Sequence, residues 1–214
     1  MARVVPLLLF ALAARSAPVR AQQVELQGFL GSSVSAPSPL SIHQNGQPDL
    51  DFTGHWATRP FLDTWYYAWR VGLWSGDRGW LLDFTHHKMY LTNPLPEVQR
   101  FRITNGMNLF TVSRAFRTGH LTYAFGAGPV VTFPKNRIRD ERLESGRRGF
   151  WGGYFLSGAN LMASATRRFP VAAGVFLSLD GRVSFSYVSV PVARGHASVP
   201  NLALHLHAGL GFQR

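Results

Sequence analysis

The sequence predicts an all-β protein, an eight-stranded antiparallel up-and-down transmembrane β-barrel. Three observations predict this fold. After residue 22, stretches rich in aromatic and β-branched residues alternate apolar with polar positions, which is the pattern of strands. The connections between these stretches alternate between short and long. No stretch after residue 22 is apolar enough over about 20 residues to form a spanning helix, so any membrane crossing must use strands.

The first 21 residues have the features of a secretory signal peptide. Arg3 precedes an apolar run over residues 4–14, and a small-residue site ends at Ala21. The run is shorter than the roughly 20 residues that a spanning helix needs, so an uncleaved anchor is the less favoured alternative. We expect cleavage after Ala21, giving a signal peptide over residues 1–21 and one outer-membrane β-barrel domain over residues 22–214. The chain contains no cysteine, so an exported fold must be stabilised without disulfides.

Eight strands are predicted, and most are long enough for a membrane crossing of about 9–11 residues. They cover residues 24–34, 64–74, 80–91, 107–116, 120–132, 150–167, 171–190 and 199–212. Residues 75–79, 117–119 and 168–170 are tight turns, and residues 35–63, 92–106, 133–149 and 191–198 are longer loops. In bacterial outer-membrane barrels the turns are periplasmic and the loops extracellular, which predicts periplasmic termini. A soluble barrel has no reason to gather its long connections at one end and is less favoured.

The last strand shows how the two faces differ. Leu204 and Leu206 lie on an apolar face, while His205 and His207 lie on the opposite one. Charged side chains stay off the apolar faces, as a polar lumen inside a lipid-facing wall requires. The predicted lumen residues, which would pair with one another because buried charges need partners, are Arg70, Asp83, His87, Asp180, Arg182, His205 and His207. Aromatic residues predicted at the membrane interfaces are Trp65, Tyr66, Tyr67, Trp69, Trp74, Trp80, Tyr90 and Trp151.

In architecture the chain resembles the small eight-stranded outer-membrane barrels of bacteria, the type of the OmpA transmembrane domain and OmpX. The resemblance covers essentially all of residues 22–214 and rests on strand number and connection length, without a diagnostic motif. It implies an integral barrel without turnover, acting in envelope integrity or surface interaction, with the barrel-assembly machinery as a partner. Such barrels commonly end in an aromatic residue that this machinery recognises, whereas here Phe212 is followed by Gln213 and Arg214.

Two groups of residues could carry catalysis. Asp83 and His87 share a strand face, but neighbouring side chains on one face lie about 7 Å apart and run parallel. His196 and Ser198 form a His-x-Ser pair similar to that of the lipid A deacylases, although no Asp or Glu follows Ser198. These four residues are the candidates for an alternative function, a lipid A-modifying hydrolase or acyltransferase. A further alternative is the binding of a small apolar ligand in the barrel mouth.

Histidine pairs also raise the question of a metal. His205 and His207 have the spacing that places two imidazoles on one strand face, but Zn²⁺ needs three or four ligands. A polar lumen explains these histidines better. We therefore predict no metal and no cofactor.

The third loop is rich in arginine. Arg137, Arg139, Arg147 and Arg148 lie among six basic and three acidic residues in the segment 134–148. Arginine's planar fork suits phosphate, so we predict contact with lipopolysaccharide, with an ordinary solvated loop as the open alternative. The formal net charge of the whole chain is +11. For an exported protein this excess favours outer-membrane lipid and lipopolysaccharide as partners, and we expect no nucleic acid.

Overall fold

The computed structural model describes residues 22–143 and 149–214. The predicted signal peptide, residues 1–21, and two of the loop arginines, Arg147 and Arg148, lie outside the described residues. The described residues form thirteen β-strands. No helix within residues 22–143 or 149–214 is both long and apolar enough to cross a membrane.

Eight of the strands close into a ring. In order around it they are β1 (Gln23–Ser35), β5 (Tyr67–Ser75), β6 (Arg78–Leu91), β7 (Arg102–Thr118), β8 (Leu121–Pro134), β11 (Phe155–Ala172), β12 (Val175–Val192) and β13 (Gly195–Gln213). Each strand is antiparallel to its neighbours. β1 closes the ring by pairing with β13 from Glu25↔Gln213 to Ser35↔Ala203. The predicted eight-stranded antiparallel barrel is confirmed.

The two ends of the barrel differ. The turn end carries the start of β1, the end of β13 and two-residue turns at residues 76–77, 119–120 and 173–174. The loop end carries the longer connections and five short strands, β2 (Ser38–Gln44), β3 (Leu50–Gly54), β4 (Trp56–Ala57), β9 (Arg137–Ile138) and β10 (Glu141–Arg142). Because β2 pairs with the first residues of β13 and β4 pairs with β6, these strands extend the barrel wall at the loop end.

The third predicted turn is wrong. Residues 168–170 belong to β11, and the chain turns at residues 173–174, where Gly174 has a φ of 73°. Pro170 is tolerated in the strand because the pairing of β11 with β8 ends at Arg167. On the β8 side of Pro170 no backbone N–H is therefore required to donate to a neighbouring described strand. The predicted turn at residues 117–119 is also displaced, since β7 continues to Thr118.

The predicted fourth loop, residues 191–198, is also wrong. β12 and β13 pair without interruption up to a two-residue turn at residues 193–194. Pro191 fits there because the pairing of β12 with β11 ends at Val188, which leaves the proline on a strand edge. The first and third predicted loops are real but contain the short strands β2–β4 and β9–β10.

Apart from the starts of β12 and β13 at the corrected turn and loop, three strand starts differ from the prediction by three residues or more. Residues 64–66 precede β5, and residues 150–154 precede β11, where only an isolated bridge joins Phe150 to Tyr154. β7 begins earlier than predicted, at Arg102. Its register with β8 shifts before Met107, beside Gly106, whose φ of 106° favours glycine. Because this irregularity interrupts the alternation in the sequence, the first part of β7, residues 102–106, was not predicted as strand.

The outer face of the barrel is apolar along the middle of the strands, as predicted. On β13 the residue Leu206 is 68% exposed, whereas His205 and His207 are each 1% exposed. This apolar belt includes Leu26, Leu30, Val112, Phe125, Leu161, Leu177, Leu179, Val183, Phe185, Leu202, Leu204 and Leu210. Trp65, Trp80 and Trp151 are exposed like the belt, but the interfacial prediction is wrong for Tyr66, Trp74 and Tyr90, which are buried.

The interior changes character along the barrel. The inward residues of β12 are polar from Ser178 to Ser186 and then apolar at Val188, Val190 and Val192, and the strand continues through this change to Val192. These valines belong to an apolar cap at the loop end, a packed core that also contains Leu40, Ile42, Met89, Val98, Phe101, Ile103, Met107, Leu109, Val130 and Ile138. An apolar interior beneath a polar outer face, such as that of Ser189, is typical of a barrel surrounded by water.

Candidate functional site

Four charged side chains form a compact cluster inside the barrel, here termed the charged quartet: Arg70 of β5, Asp83 of β6, and Asp180 and Arg182 of β12. Arg70 Nε donates to Asp83 Oδ1 at 2.7 Å, and Arg70 Nη1 lies 3.3 Å from Asp180 Oδ1. Arg182 Nε donates to Asp180 Oδ2 at 2.5 Å, and its Nη1 lies 3.3 Å from Asp83 Oδ1. Each carboxylate therefore faces both guanidinium groups, and all four side chains are fully buried.

Threonine hydroxyls add hydrogen bonds to the quartet, whereas Asp83 Oδ2 and Arg182 Nη2 have no hydrogen-bond partner within the described part of the chain. Arg70 Nη1 donates to Thr166 Oγ1 at 2.8 Å, and this hydroxyl donates to Asp180 Oδ1 at 2.6 Å. Arg182 Nη1 donates to Thr85 Oγ1 at 2.9 Å. Charges buried in this way are stabilised only because each one has an opposite charge and further hydrogen bonds. The quartet has no net charge and fills the lumen at its level.

The neighbouring histidines are bonded within the lumen. His207 Nδ1 lies 3.1 Å from Asp180 Oδ2. His205 Nε2 lies 2.7 Å from Ser184 Oγ, and its Nδ1 lies 2.5 Å from the hydroxyl of Tyr66. Tyr66 is therefore a lumen residue that the sequence analysis missed. Within residues 22–143 and 149–214, no three or more His, Cys, Asp or Glu side chains are grouped to hold a metal ion.

A second charged cluster, also missed in the sequence, lies nearer the turn end. Glu25 of β1 forms ion pairs with Arg117 and Arg168, the latter with Nη1 3.3 Å from Oε2. The Arg117 guanidinium lies over the ring of Trp74, 3.5 Å from its centroid. Both arginines fall in segments predicted as turns, so their inward direction was hidden. The sequence signal that could have indicated this cluster was Glu25, which lies on the opposite strand face from the outward Leu26.

The four catalytic candidates do not come together. Asp83 belongs to the charged quartet, and His87 lies in the lumen with Nδ1 3.1 Å from Ser33 Oγ. His196 and Ser198 instead lie on the outer face of the wall at the loop end, where β13 pairs with β2. The lumen pair, Asp83 and His87, and the outer pair, His196 and Ser198, therefore cannot belong to the same catalytic site.

His196 contacts a second histidine on that outer face. It is paired with His43 of β2, and the two ring centroids are 5.6 Å apart. His43 Nδ1 lies 2.7 Å from Asp49 Oδ1, and both side chains are about half exposed. Ser198 lies opposite Ser41 in the same ladder. Asp49, in the connection between β2 and β3, is therefore an acidic residue near this pair, and its contact is with His43.

The arginines of the third loop have different environments. Arg137 Nη2 lies 2.9 Å from Asp140 Oδ1, and both side chains remain largely exposed. Arg139 is engaged within the protein, where it donates to Gln44 Oε1 at 2.9 Å and to the carbonyl of Pro48 at 2.7 Å. Ile138 between them is buried in the apolar cap. The β9–β10 hairpin is therefore anchored, with Arg137 on its exposed side.

Lys88 fixes the segment that leads into β5. It points away from the lumen, as the alternation predicts, but it is buried beneath residues 59–64. Its ammonium donates to the carbonyl of Arg59 at 2.9 Å, to that of Thr64 at 2.6 Å, and to that of Leu62. Three carbonyls use all three donors of the ammonium. This anchor places Tyr66 at the mouth of the polar lumen.

The same segment is held by Asp63. Tyr90 donates a hydrogen bond from its hydroxyl to Asp63 Oδ2 at 2.8 Å, and Arg102 Nη1 lies 3.5 Å from that oxygen. The hydrogen bond first, and the charge of Arg102 with it, lower the pKa of the Asp63 carboxyl below its usual value. Because the folded pKa is lowered, this contribution to stability is present above the unfolded pKa and is lost as the pH falls through the folded one.

Solved structures with similar folds cover most of the chain. The outer membrane protein OprG of Pseudomonas aeruginosa has 12% sequence identity, with 90% of this chain and 95% of that chain covered and a TM-score of 0.48. The outer membrane protein AlkL in DMPC lipid bilayers has 11% identity, with 100% and 97% covered and a TM-score of 0.49. Neisserial surface protein A has 13% identity, with 89% and 96% covered and a TM-score of 0.41. No protein-family model and no curated protein matches the chain.

Proposed function

We propose that the chain is an integral β-barrel of a bacterial outer membrane, without turnover of its own, that acts in envelope integrity or surface interaction. The arrangement of the two faces carries this proposal: the apolar belt faces outward and the charged quartet lies inside. In water such a belt would exceed the exposed apolar patches that soluble monomers tolerate. In a bilayer it is the surface that a spanning barrel needs, and ring closure pairs the backbone groups that face lipid.

The filled interior supports a role other than bulk transport. Side chains occupy the lumen at three successive levels: the Glu25 cluster, the charged quartet with its histidines, and the apolar cap. An eight-stranded ring has room for little more than its own side chains. The apolar cap also occupies the barrel mouth, which is the place considered for a small apolar ligand. We therefore expect no stable aqueous pore.

The difference between the two ends supports an orientation. Two-residue turns fit the periplasmic side, and the extended wall around the apolar cap fits the cell surface. In this orientation the barrel-assembly machinery meets the turn end first, and lipopolysaccharide surrounds the loop end. The exposed Arg137 is then available to a phosphate, whereas Arg139 has acceptors inside the protein.

Thiol labelling on intact cells tests location and orientation together. The chain has no cysteine, so Asp140→Cys at the loop end and Asp77→Cys at the turn end each introduce a single exposed thiol. A membrane-impermeant maleimide is expected to label Asp140→Cys on intact cells, and Asp77→Cys only after the outer membrane is opened. The reverse order would invert the orientation. Recovery of both variants in a soluble fraction would contradict the proposal.

A lipid-modifying activity is the second candidate, favoured by the group around His43. The Asp49 carboxylate orients the His43 imidazole, as the acid of a nucleophilic site orients its base, and the hydroxyls of Ser41 and Ser198 lie on the same face. Mass spectra of lipid A from cells with and without the protein test it. An acylation pattern that changes with the protein and reverts in His43→Ala supports the activity, and identical spectra exclude it for lipid A.

A further inference from the structure

A groove of about 440 Å³ lies on the outer wall of the barrel, across β6, β7 and β8. Its floor is formed by the outward side chains of Phe84, Phe110 and Val131. Phe150 and Trp151, from the segment before β11, form one side of the groove, and Trp151 is 89% exposed. The floor is continuous with the apolar belt, so in the proposed membrane-spanning state the groove is open to lipid acyl chains.

Two polar side chains, His86 and Asn108, are buried in this apolar groove. His86 is only 4% exposed, its ring stacks on Tyr67 with 5.0 Å between centroids, and its Nδ1 lies 2.9 Å from Asn108 Oδ1. The backbone of Thr104 also bonds the His86 ring, while the ring nitrogen Nε2 makes no well-directed hydrogen bond within the described part of the chain. A buried imidazole nitrogen without a well-directed hydrogen bond is costly, so it calls for a hydroxyl, amide or ester group from whatever occupies the groove.

A basic pocket of about 690 Å³ adjoins the groove toward the loop end. Among the residues that the structure describes, the charged side chains that line it are Arg100, Lys135, Arg137 and Arg142, and the carboxylate of Asp140. Four cations and one anion leave an excess of three positive charges in this pocket. Guanidinium and ammonium groups arranged in this way suit phosphate groups, and more than one of them.

Two contacts join the groove to the basic pocket. Phe133, which lines the pocket, packs edge-on against Tyr154 of the groove, with ring centroids 5.0 Å apart. Lys135 Nζ lies 3.3 Å from Oδ1 of Asn105, which lines the groove. A single amphiphile can therefore place its chains in the groove and its anionic head in the pocket.

We propose that groove and pocket together form a binding site for a phosphorylated, multiply acylated glycolipid, the chemistry of lipid A. Its acyl chains lie against Phe84 and Phe110, a chain hydroxyl or amide meets His86 Nε2, and its phosphates meet Lys135 and Arg142. The feature that favours lipid A over a glycerophospholipid with one phosphate is the excess of three positive charges, which suits more than one phosphate. The inference rests on the proposed membrane function and names the lipid that the surface takes.

Binding is measured on the full mature chain in phosphatidylcholine nanodiscs by native mass spectrometry, with bisphosphorylated hexa-acyl lipid A as the probe. Lys135→Gln combined with Arg142→Gln is expected to weaken binding by about tenfold or more, since charge-assisted contacts to phosphate are lost. The matched control is Arg78→Gln with Arg167→Gln, which removes two exposed charges at the turn end and should leave the affinity unchanged. Equal losses in the two variants would mean general charge attraction and overturn the site.

The groove is tested separately. Trp151→Ala removes an exposed ring whose ring contact is with the adjacent Phe150, and it should weaken binding by roughly fivefold. His86→Phe keeps the stacked ring but removes both ring nitrogens, Nε2 among them. Phosphatidylglycerol and inorganic polyphosphate serve as competitors, and either one displacing lipid A at equal concentration overturns the assignment. Heat-modifiable migration in phosphatidylcholine vesicles is recorded for every variant. If the protein inserts into vesicles but does not prefer lipid A, only the proposed binding site is overturned. If the protein fails to insert, the proposed membrane function is overturned as well.

Discussion

Replacing Asp180 by alanine is expected to lower the free energy of unfolding of the inserted barrel by about 3–5 kcal/mol. Asp180 accepts from Arg182 at 2.5 Å and from Thr166 at 2.6 Å, and it lies 3.3 Å from Arg70. Without it, the quartet keeps two guanidinium groups and one carboxylate in a fully buried position. The lost free energy is that of leaving an uncompensated charge away from water, rather than that of the hydrogen bonds alone.

Urea unfolding in phosphatidylcholine vesicles, followed by tryptophan fluorescence, measures this change. Asp77→Ala is the control, because Asp77 is exposed in a two-residue turn and should change the free energy by less than about 0.5 kcal/mol. Combining Asp180→Leu with Arg182→Met removes one charge of each sign and should recover much of the loss. A single Asp180→Ala variant as stable as the control would show that the quartet is not closely paired.

The charged quartet illustrates what the sequence could predict. Arg70, Asp180 and Arg182 lie in stretches of regular alternation, so period two alone assigns them to the interior. Asp83 is assigned in the same way from the outward apolar residues Leu82 and Phe84 on either side of it. The eight strands follow from the same regularity and from the alternation of short and long connections. Which carboxylate meets which guanidinium could not follow, because that depends on the register between β5, β6 and β12 across the lumen.

The residues that sequence analysis missed lie where alternation is interrupted. Arg117 and Arg168 lie two residues before Gly119 and Pro170. Glycine and proline favour turns, so both arginines were assigned to turns and not to a strand face. Tyr66 precedes its strand and enters the lumen because Lys88 anchors the preceding segment, a contact between distant positions. Local pattern carries no information about either arrangement.

The apolar cap shows a second limit of local pattern. After Val188 the apolar side chains of β12 point inward and Ser189 points outward, which resembles the end of a strand in the sequence. The strand instead continues through a change of surroundings, from a lipid-facing wall to a water-facing wall. Which face of a strand is apolar therefore depends on whether lipid or water surrounds the barrel. The residue at which the apolar side chains change face marks the level at which the proposed membrane ends.

For the candidate sites, the sequence predicted the strand face of each residue but not the residues that lie next to it in space. His196 and Ser198 share the outer face as the alternation requires, but their companions His43 and Asp49 come from a connection that was predicted as a loop. The groove on the outer wall could not be predicted either, since it is assembled from four strands and two segments mispredicted as strand. Sites built by register and by loop anchors need the fold itself.

Placing a lysine at Leu206 is expected to lower the free energy of unfolding in lipid vesicles by roughly 2–4 kcal/mol. The outward apolar residues of β13 run from Leu202 to Phe212, so Leu206 lies near the middle of the apolar belt, where an ammonium group is farthest from water. His207→Lys at the neighbouring position should cost less, because it enters the lumen beside Asp180. Ser189→Lys, outward on the wall around the apolar cap, should cost about 0–1 kcal/mol, since that surface faces water. The ordering by depth is what distinguishes a membrane barrel from a soluble one. If Leu206→Lys and Ser189→Lys cost the same, the belt does not face lipid, and the proposed membrane function fails with it.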